Sequence, residues 1–211
     1  MMDNPDMLMK PGDLAHIAQV LPSKITYYTS LGLLGVGEYT EGGQKLYRKG
    51  ESIVQLKRIE KLTNKGYSLD EIHGKIARNK NEKRILIIDD EPTVGELIKD
   101  LLADMLKCDL HIVLDGFAAG LKLQEYFPDL IILDLNLPGV NGFDICRKIR
   151  QDELQLGVRI LAITGYDSEE NYRRIIECGA DDYLPKPFHA EEVLAKIFTL
   201  LRIKKYLKKR K

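Results

Sequence analysis

The 211-residue sequence has few cysteines, no excess of either charge and no long apolar run, and each absence excludes a class of protein. Its three cysteines, Cys108, Cys146 and Cys178, are widely spaced and odd in number, which fits a reducing cytoplasm and neither a disulfide framework nor a zinc knuckle. Lys plus Arg and Asp plus Glu both number 32, so a nucleic-acid signal must be local. No segment approaches the roughly 20 apolar residues that span a bilayer. Residues 1–13 lack the basic start and apolar core of a signal peptide, so we expect a cytoplasmic protein that does not enter a membrane.

The sequence does contain enough apolar residues for two domains. A hydrophobic fraction of 44% and a charged fraction of 30% are ordinary for a globular protein. A single core becomes comfortable at roughly 100–150 residues, which this chain exceeds. From Arg84 onward, short β-branched runs such as "RILIIDD" and "DLIILDL" alternate with segments of helical spacing. Five such repeats predict an α/β domain with a five-stranded, parallel, doubly wound sheet covered by helices on both faces.

Residues 10–79 have a different pattern, which predicts a small and mainly helical domain. Pro22 suits the first turn of a helix through "SKITYYTSL", and Gly32 stands where that helix should end. The Gly-rich stretch "GVGEYTEGGQKLYR" predicts a small hairpin. Ser68 and Glu71 match a capping box, so a further helix should begin there. Short helices with one hairpin are typical of a helical domain that carries a wing.

The boundaries follow from changes in composition. The polar stretch "ARNKNEK" predicts a short linker between the halves. We assign a flexible N-terminus, a helical domain, a linker, an α/β domain and a basic tail to residues 1–10, 11–79, 80–83, 84–203 and 204–211. The last ten residues, "RIKKYLKKRK", hold seven cations, which fit either a solvated helix end or a nonspecific phosphate contact.

Polar residues stand at the ends of the predicted strands. Asp89 and Asp90 end the first strand, Asp134 the third and Thr164 the fourth, and Lys186 follows the fifth. Ligands of open parallel sheets bind at this edge. Three carboxylates there would repel one another unless a cation neutralised them, and Mg²⁺ prefers such oxygen ligands. A carboxylate beside a metal and an ammonium can accept a phosphoryl group, so Asp134, Lys186 and Thr164 form a candidate catalytic set. Each aspartate taken singly is also an ordinary turn or capping residue.

With these residues in place, residues 84–203 resemble the receiver domain of two-component response regulators. The resemblance implies a flavodoxin-like fold and Mg²⁺-dependent phosphorylation of Asp134 by a sensor histidine kinase or a phosphotransfer protein. The implied metal ligands are Asp89, Asp90, Asp134 and the main-chain carbonyl of Asn136. Lys186 would pair with the phosphoryl group, and its bond to Pro187 would be cis. Such a domain promotes only its own phosphoryl transfer and dephosphorylation, so we do not expect an enzyme with a separate substrate.

The same resemblance implies a two-state switch. A phosphoryl group would draw Thr164 inward, and Tyr183 would turn from exposed to buried. The face formed by the fourth helix, fifth strand and fifth helix of the receiver would then change shape, and we expect a homodimer through this face. Tyr183 as an ordinary core aromatic is the alternative.

Residues 11–79 resemble the winged helix-turn-helix of MerR-type transcription regulators. The resemblance lies in "GDLAHIAQVLPSKITYYTSLGLL", "TEGGQKLY" and "GYSLDEI", and it implies a recognition helix in a DNA groove. Leu21 stands where that family commonly has a helix-capping hydroxyl. We expect Tyr28 to be packed in the core and leave Tyr27 open between packing and contact. The side chains that can offer hydrogen-bond donors or cations to DNA are Ser23, Lys24, Thr26, Tyr27, Lys45, Arg48 and Lys49.

Together the two resemblances predict a DNA-binding response regulator of a two-component system. The long dimerising coiled coil usual in MerR-type regulators is lacking here, so the receiver would have to supply the two-fold contact. Residues 1–82 hold twelve Lys and Arg against ten Asp and Glu, a net charge of only +2. Thr26 and Thr29 replace the basic and acidic residues that commonly flank the aromatic pair. These features leave open a phosphorylation-controlled adaptor whose helix-turn-helix binds proteins and not DNA.

Overall fold

The chain divides into two compact units, Met1–Arg78 and Asn79–Lys211, in a computed structural model. The structure describes residues 6–76, 82–155, 157–165 and 168–203. Within those ranges no helix combines the length and apolarity that a membrane crossing requires. The basic tail assigned to residues 204–211 lies outside the described residues, as do the first two residues of the linker assigned to 80–83.

The first unit combines short helices with a small antiparallel sheet. Its described elements are β1 (Leu8–Met9), α1 (Pro11–Ile17), α2 (Pro22–Ser30), β2 (Glu38–Tyr39), β3 (Lys45–Arg48), α3 (Lys49–Asn64) and α4 (Leu69–Ile76). The strand order is β1-β3-β2. The hairpin predicted from the Gly-rich stretch is confirmed as β2 and β3, which pair Glu38 with Leu46. The predicted capping box is confirmed too, because Ser68 Oγ accepts from the backbone N–H of Glu71, whose carboxylate accepts from the N–H of Ser68.

Helix α2 has the predicted start and end. Pro22 occupies the first turn, Leu21 caps the helix without a side-chain hydrogen bond, and Gly32 adopts a φ of +73° just beyond the end. Of the aromatic pair, Tyr28 is half-buried and packs against the core, whereas Tyr27 is 51% exposed. The helix therefore turns one side to the core and leaves the other open.

The flexible N-terminus assigned to residues 1–10 is wrong for Leu8 and Met9. Both pair with β3, and Met9 is buried in the core of the unit. Two residues are too few to display the alternation that identifies a strand, so this pairing has no signature in the sequence. The linker is likewise one residue too long, because Lys83 already pairs with Cys108 in the second unit. A lysine at a strand entrance resembles a linker residue in composition.

The second unit is a five-stranded parallel sheet with helices on both faces. Its described elements are β4 (Lys83–Ile88), α5 (Pro92–Ala103), β5 (Cys108–Val113), α6 (Gly116–Leu123), β6 (Leu130–Asp134), α7 (Gly142–Gln151), a short 3-10 helix (Glu153–Gln155), β7 (Arg159–Thr164), α8 (Glu169–Cys178), β8 (Asp182–Pro185) and α9 (Ala190–Leu200). The strand order is β5-β4-β6-β7-β8, and every pairing is parallel. This architecture confirms the predicted fold class.

The apolar residues of the central strands pack into two cores, one on each face of the sheet. Side chains alternate across a strand, so Leu86 and Ile88 enter the core that contains Phe143, whereas Ile85 and Ile87 enter the opposite core. All five residues are buried. Continuous apolar sequence is therefore required by a sheet that is covered on both faces.

Gly142 is the first residue of helix α7, and no larger residue fits at this position. A Cβ atom on Gly142 would lie 2.5 Å from the Cα of Leu135 and 2.7 Å from the carbonyl oxygen of Asp134. The helix thus starts directly against the backbone at the end of β6. Gly120, inside α6, would meet nothing within 4 Å of the same added atom.

We predict that Gly142→Ala lowers the free energy of unfolding by roughly 1–3 kcal/mol, because backbone must shift to admit the methyl group. The matched control, Gly120→Ala, should raise it by about 0.5–1 kcal/mol through helix propensity. Chemical denaturation followed by circular dichroism measures both changes. Equal effects of the two substitutions would contradict the close approach at Gly142.

Candidate functional site

Strand register brings the predicted polar residues to one edge of the sheet. Ile88 pairs with Leu133, so the next residues along each strand, Asp89 and Asp134, are neighbours at the ends of β4 and β6. Asp134 in turn pairs with Ile163, the residue before Thr164. The site is therefore assembled by parallel pairing of segments that lie far apart in sequence.

Three carboxylates meet at this edge. One oxygen from each of Asp89, Asp90 and Asp134 lies within 4.8 Å of the others. Asp89 and Asp134 are buried and Asp90 is exposed, so the cluster opens to solvent on one side. Ligands of an octahedral Mg²⁺ stand about 2.1 Å from the ion, which separates opposite ligands by roughly 4.2 Å. The three oxygens are therefore grouped on the scale of such a ligand shell, and carboxylate oxygens are the ligand type that Mg²⁺ prefers.

Backbone N–H groups orient the two buried carboxylates. Asp89 Oδ1 accepts from the N–H of Glu91 at 2.9 Å, and Asp134 Oδ1 accepts from the N–H of Asn136 at 2.8 Å. Each aspartate is thereby held by the residue two positions after it. The second oxygen of each carboxylate, Oδ2, points to Lys186. The carbonyl of Asn136 as a metal ligand stays a prediction.

Lys186, which directly follows β8, contacts three acids at this edge. Its Nζ donates to Asp134 Oδ2 at 2.7 Å, to Asp89 Oδ2 at 3.1 Å and to Glu91 Oε1 at 3.1 Å. Burial by itself would lower the pKa of Lys186, but hydrogen bonds to Asp134 and Asp89 outweigh it and raise the pKa above its ordinary value. The side chain is therefore a fixed ammonium ion. The bond from Lys186 to Pro187 is cis, as expected.

Burial makes the charge on Asp89 costly. It raises the pKa of the Asp89 carboxyl, and the opposing hydrogen bonds from Glu91 and Lys186 only partly offset this. Asp134 raises this pKa a little further by repulsion. A bound cation would relieve both effects.

The two implied switch residues, Thr164 and Tyr183, each contact a residue of helix α8. Thr164 is 1% exposed, and its Oγ1 accepts a hydrogen bond from Asn171 Nδ2 at 3.0 Å. Tyr183 is half-buried, with its ring centroid 5.4 Å from that of Tyr172 at an interplanar angle of 61°. Lys196 Nζ lies 5.8 Å from the same Tyr183 ring.

Sequence reasoning missed Glu91, Asn171 and Tyr172. Glu91 directly follows the paired aspartates, which is the signal that could have found it. The other two had an indirect signal in Ser168, whose Oγ caps α8 by accepting from the N–H of Asn171 at 3.1 Å. A cap at Ser168 places both residues in the first turn of α8.

The residues predicted to contact DNA lie on two elements of the first unit. On α2, Ser23, Lys24, Thr26 and Tyr27 are exposed, whereas Ile25 between them is completely buried. Lys45 on β3 is exposed, and Arg48 and Lys49 are half-buried at the junction of β3 and α3. Arg48 Nη2 lies 3.5 Å from Glu38 Oε1 across the hairpin. Whether this surface contacts DNA stays a prediction.

Two family models match the chain, one for each unit. The model described as "Response regulator receiver domain" matches residues 85–198, more than half of the chain. The model described as "MerR HTH family regulatory protein" matches residues 9–79. The two matches confirm both resemblances and their order along the chain.

Curated relatives match a little over half of the chain. The DNA-binding dual master transcriptional regulator RpaA of Synechocystis sp. is 40% identical over 119 residues, which cover 56% of this chain and 49% of the relative. The DNA-binding response regulator MtrA of Mycolicibacterium smegmatis is 38% identical over 120 residues, which cover 57% of this chain and 51% of the relative. This chain therefore spans about half the length of the curated relatives it matches.

Solved structures agree with the fold. A putative response regulator from Chloroflexus aurantiacus is 30% identical with a TM-score of 0.54, covering 57% of this chain and 98% of that one. The signal receiver domain of a DNA binding response regulator protein (merR) from Colwellia psychrerythraea is 28% identical with a TM-score of 0.54, again covering 57% and 98%. Both likenesses cover a little over half of this chain.

We predict that Asp89→Asn stabilises the metal-free protein by about 1 kcal/mol, since it removes a buried charge and keeps an oxygen for the Glu91 N–H. Burial raises the folded-state pKa of Asp89, so ionisation costs stability above that pKa. The advantage of Asn should therefore be greatest at neutral pH and vanish as the pH falls below the ordinary aspartate value of about 3.9.

Thermal denaturation across pH, with and without Mg²⁺, measures this effect. The exposed Asp100→Asn on α5 is the matched control and should change little. Added Mg²⁺ should stabilise the wild type and the control but not Asp89→Asn. Undiminished Mg²⁺ stabilisation of Asp89→Asn would show that Asp89 is not a ligand.

Proposed function

The chain belongs to the response regulator receiver family, and from that premise we propose that it is a DNA-binding response regulator controlled by Mg²⁺-dependent phosphorylation of Asp134. We assign phosphorylation to residues 84–203 and DNA binding to residues 11–79. The observation that carries the proposal is the buried Asp134 carboxylate, 2.7 Å from the Lys186 ammonium and beside two further aspartates. No other arrangement of groups is as well suited to receive a phosphoryl group among the described residues.

Asp134 acts as the nucleophile. Its carboxylate oxygen forms a bond to phosphorus while the bond from phosphorus to the donor breaks, and the electron pair leaves with the donor. The buried backbone of β6 and the N–H of Asn136 hold the carboxylate in position. Asp89, Asp90, Asp134 and the carbonyl of Asn136 would hold Mg²⁺, which would supply positive charge to offset the phosphoryl oxygens.

Lys186 and Thr164 receive the transferred group. In this structure the Lys186 ammonium contacts Asp134 Oδ2, and a phosphoryl oxygen would take over that contact. Thr164 would donate its hydroxyl hydrogen to another phosphoryl oxygen. These contacts exist only in the phosphorylated state, so they supply the differential free energy that moves Thr164 and then Tyr183. The protein modifies itself and needs no separate substrate pocket.

Partners follow from the two units. The phosphoryl donor is a sensor histidine kinase or a phosphotransfer protein, and the regulated ligand is DNA. The exposed side of α2 would enter the major groove, with the β2–β3 wing contacting phosphates. The switch face of the second unit, formed by α8, β8 and α9, would supply the homodimer contact that reads two half-sites.

A signalling adaptor is the second candidate. It is favoured by the ion pair between Arg48 and Glu38, because a cation engaged by its own wing offers less to phosphate. The small positive charge of residues 1–82 points the same way. In this alternative, phosphorylation of Asp134 is unchanged, but the helix-turn-helix binds a protein.

We predict that a small phosphodonor with Mg²⁺ labels the wild type and not Asp134→Asn, because an amide is a far weaker nucleophile than a carboxylate. Phosphate-binding gel electrophoresis and intact mass measure the label, and a chelator should prevent it. Asp144→Asn, an exposed acid on the neighbouring helix α7, is the control and should be labelled normally. Labelling of Asp134→Asn would refute the acceptor assignment.

We predict that Lys24→Ala weakens DNA binding and reduces the slope of log affinity against log salt by roughly 1, as expected for one lost phosphate contact. Sequence selection followed by gel shift, with and without beryllofluoride as a phosphoryl mimic, measures it. Lys65→Ala, a cation outside α2 and the wing, should leave the slope unchanged. Absence of selective DNA binding in both states would favour the adaptor.

A further inference from the structure

The first turn of α8 contacts both implied switch residues. Asn171 Nδ2 donates to Thr164 Oγ1 at 3.0 Å, and the next residue, Tyr172, places its ring 5.4 Å from that of Tyr183. The cap at Ser168 fixes the backbone of this turn through the N–H of Asn171. Two consecutive side chains thus connect one helical turn to the last residue of β7 and to Tyr183 in β8.

The bond from Asn171 restrains the Thr164 hydroxyl directly. Thr164 is buried, so solvent does not replace a lost partner at low cost. The position of its Oγ1 is set by rotation about the Cα–Cβ bond, which has few allowed rotamers. An oxygen held 3.0 Å from an amide on α8 must give up that geometry to approach a phosphoryl group on Asp134.

We propose that Asn171 is a positioning residue that stabilises Thr164 in the unphosphorylated arrangement. It thereby sets the binding free energy that a phosphoryl group must supply to move Thr164 to the phosphorylated arrangement. The proposal rests on the proposed function of Asp134. A contact made in only one of two states shifts their equilibrium by its own free energy. Removing the Asn171 amide therefore favours the phosphorylated arrangement.

The position of Tyr172 extends this restraint to the surface. Tyr172 is 45% exposed and shares the first turn of α8 with Asn171. When Thr164 leaves Asn171, the turn loses one of its attachments to the sheet, and the edge contact between Tyr172 and Tyr183 loses support. Asn171 thereby links the buried hydroxyl to the aromatic pair on the switch face.

The test measures the affinity of the full chain for beryllofluoride in saturating Mg²⁺ by titration calorimetry. Asn171→Ala and Asn171→Leu both remove the donor, and Leu keeps most of the volume. Each should bind beryllofluoride roughly three- to tenfold more tightly, the range for one net hydrogen bond. Mg²⁺ affinity should stay unchanged. Glu170→Ala, an exposed neighbour in the same turn, is the matched control and should equal the wild type.

A Thr164→Val background separates this role from a general structural one. Without the hydroxyl, Asn171→Ala should no longer alter beryllofluoride affinity, because the bond it removes does not exist there. Unchanged or weaker binding by both Asn171 variants in the wild-type background would overturn the proposal, as would an equal gain in the Thr164→Val background. Failure of the wild type itself to bind beryllofluoride would instead overturn the proposed function, and this inference with it.

Discussion

The Lys186 ammonium, placed among the carboxylates of Asp134, Asp89 and Glu91, is the interaction on which the site depends. Without a cation, the buried aspartates at the ends of β4 and β6 would repel each other in surroundings that already penalise charge. With one, each carboxylate has an opposite charge beside it and a hydrogen bond that holds one of its oxygens in place. In the proposed function, the same ammonium would exchange its contact with Asp134 for one with the phosphoryl group.

The central strands and α7 hold the residues around this ion pair tightly in place. The central strands fill two cores, and α7 starts so close to Asp134 that only glycine fits at its first residue. Asn171 and Tyr172 of α8 in turn contact Thr164 and Tyr183. In the proposed function, a local change of charge at Asp134 would act on α8 through these contacts while β6 keeps the carboxylate in place.

The two units differ in how far their sequences reveal their structure. The second unit has strong periodicity, and its strands and the convergence of Asp89, Asp134 and Lys186 were predictable from spacing and parallel topology. In the first unit the hairpin and the capping box were predictable, but the two-residue strand β1 was not. Its pairing with β3 depends on a partner some forty residues away, and no local pattern encodes that.

By itself, the sequence determined the chemistry of the sheet edge, because acids, a hydroxyl and a lysine at strand ends have few other uses in combination. Only the tertiary structure decided which side chains are in contact. It put Glu91 against Lys186, Asn171 against Thr164 and Tyr172 against Tyr183. These contacts depend on strand register and on the angle at which α8 lies on the sheet. Both are set by packing of the whole domain, whereas residue spacing reports only on the local backbone.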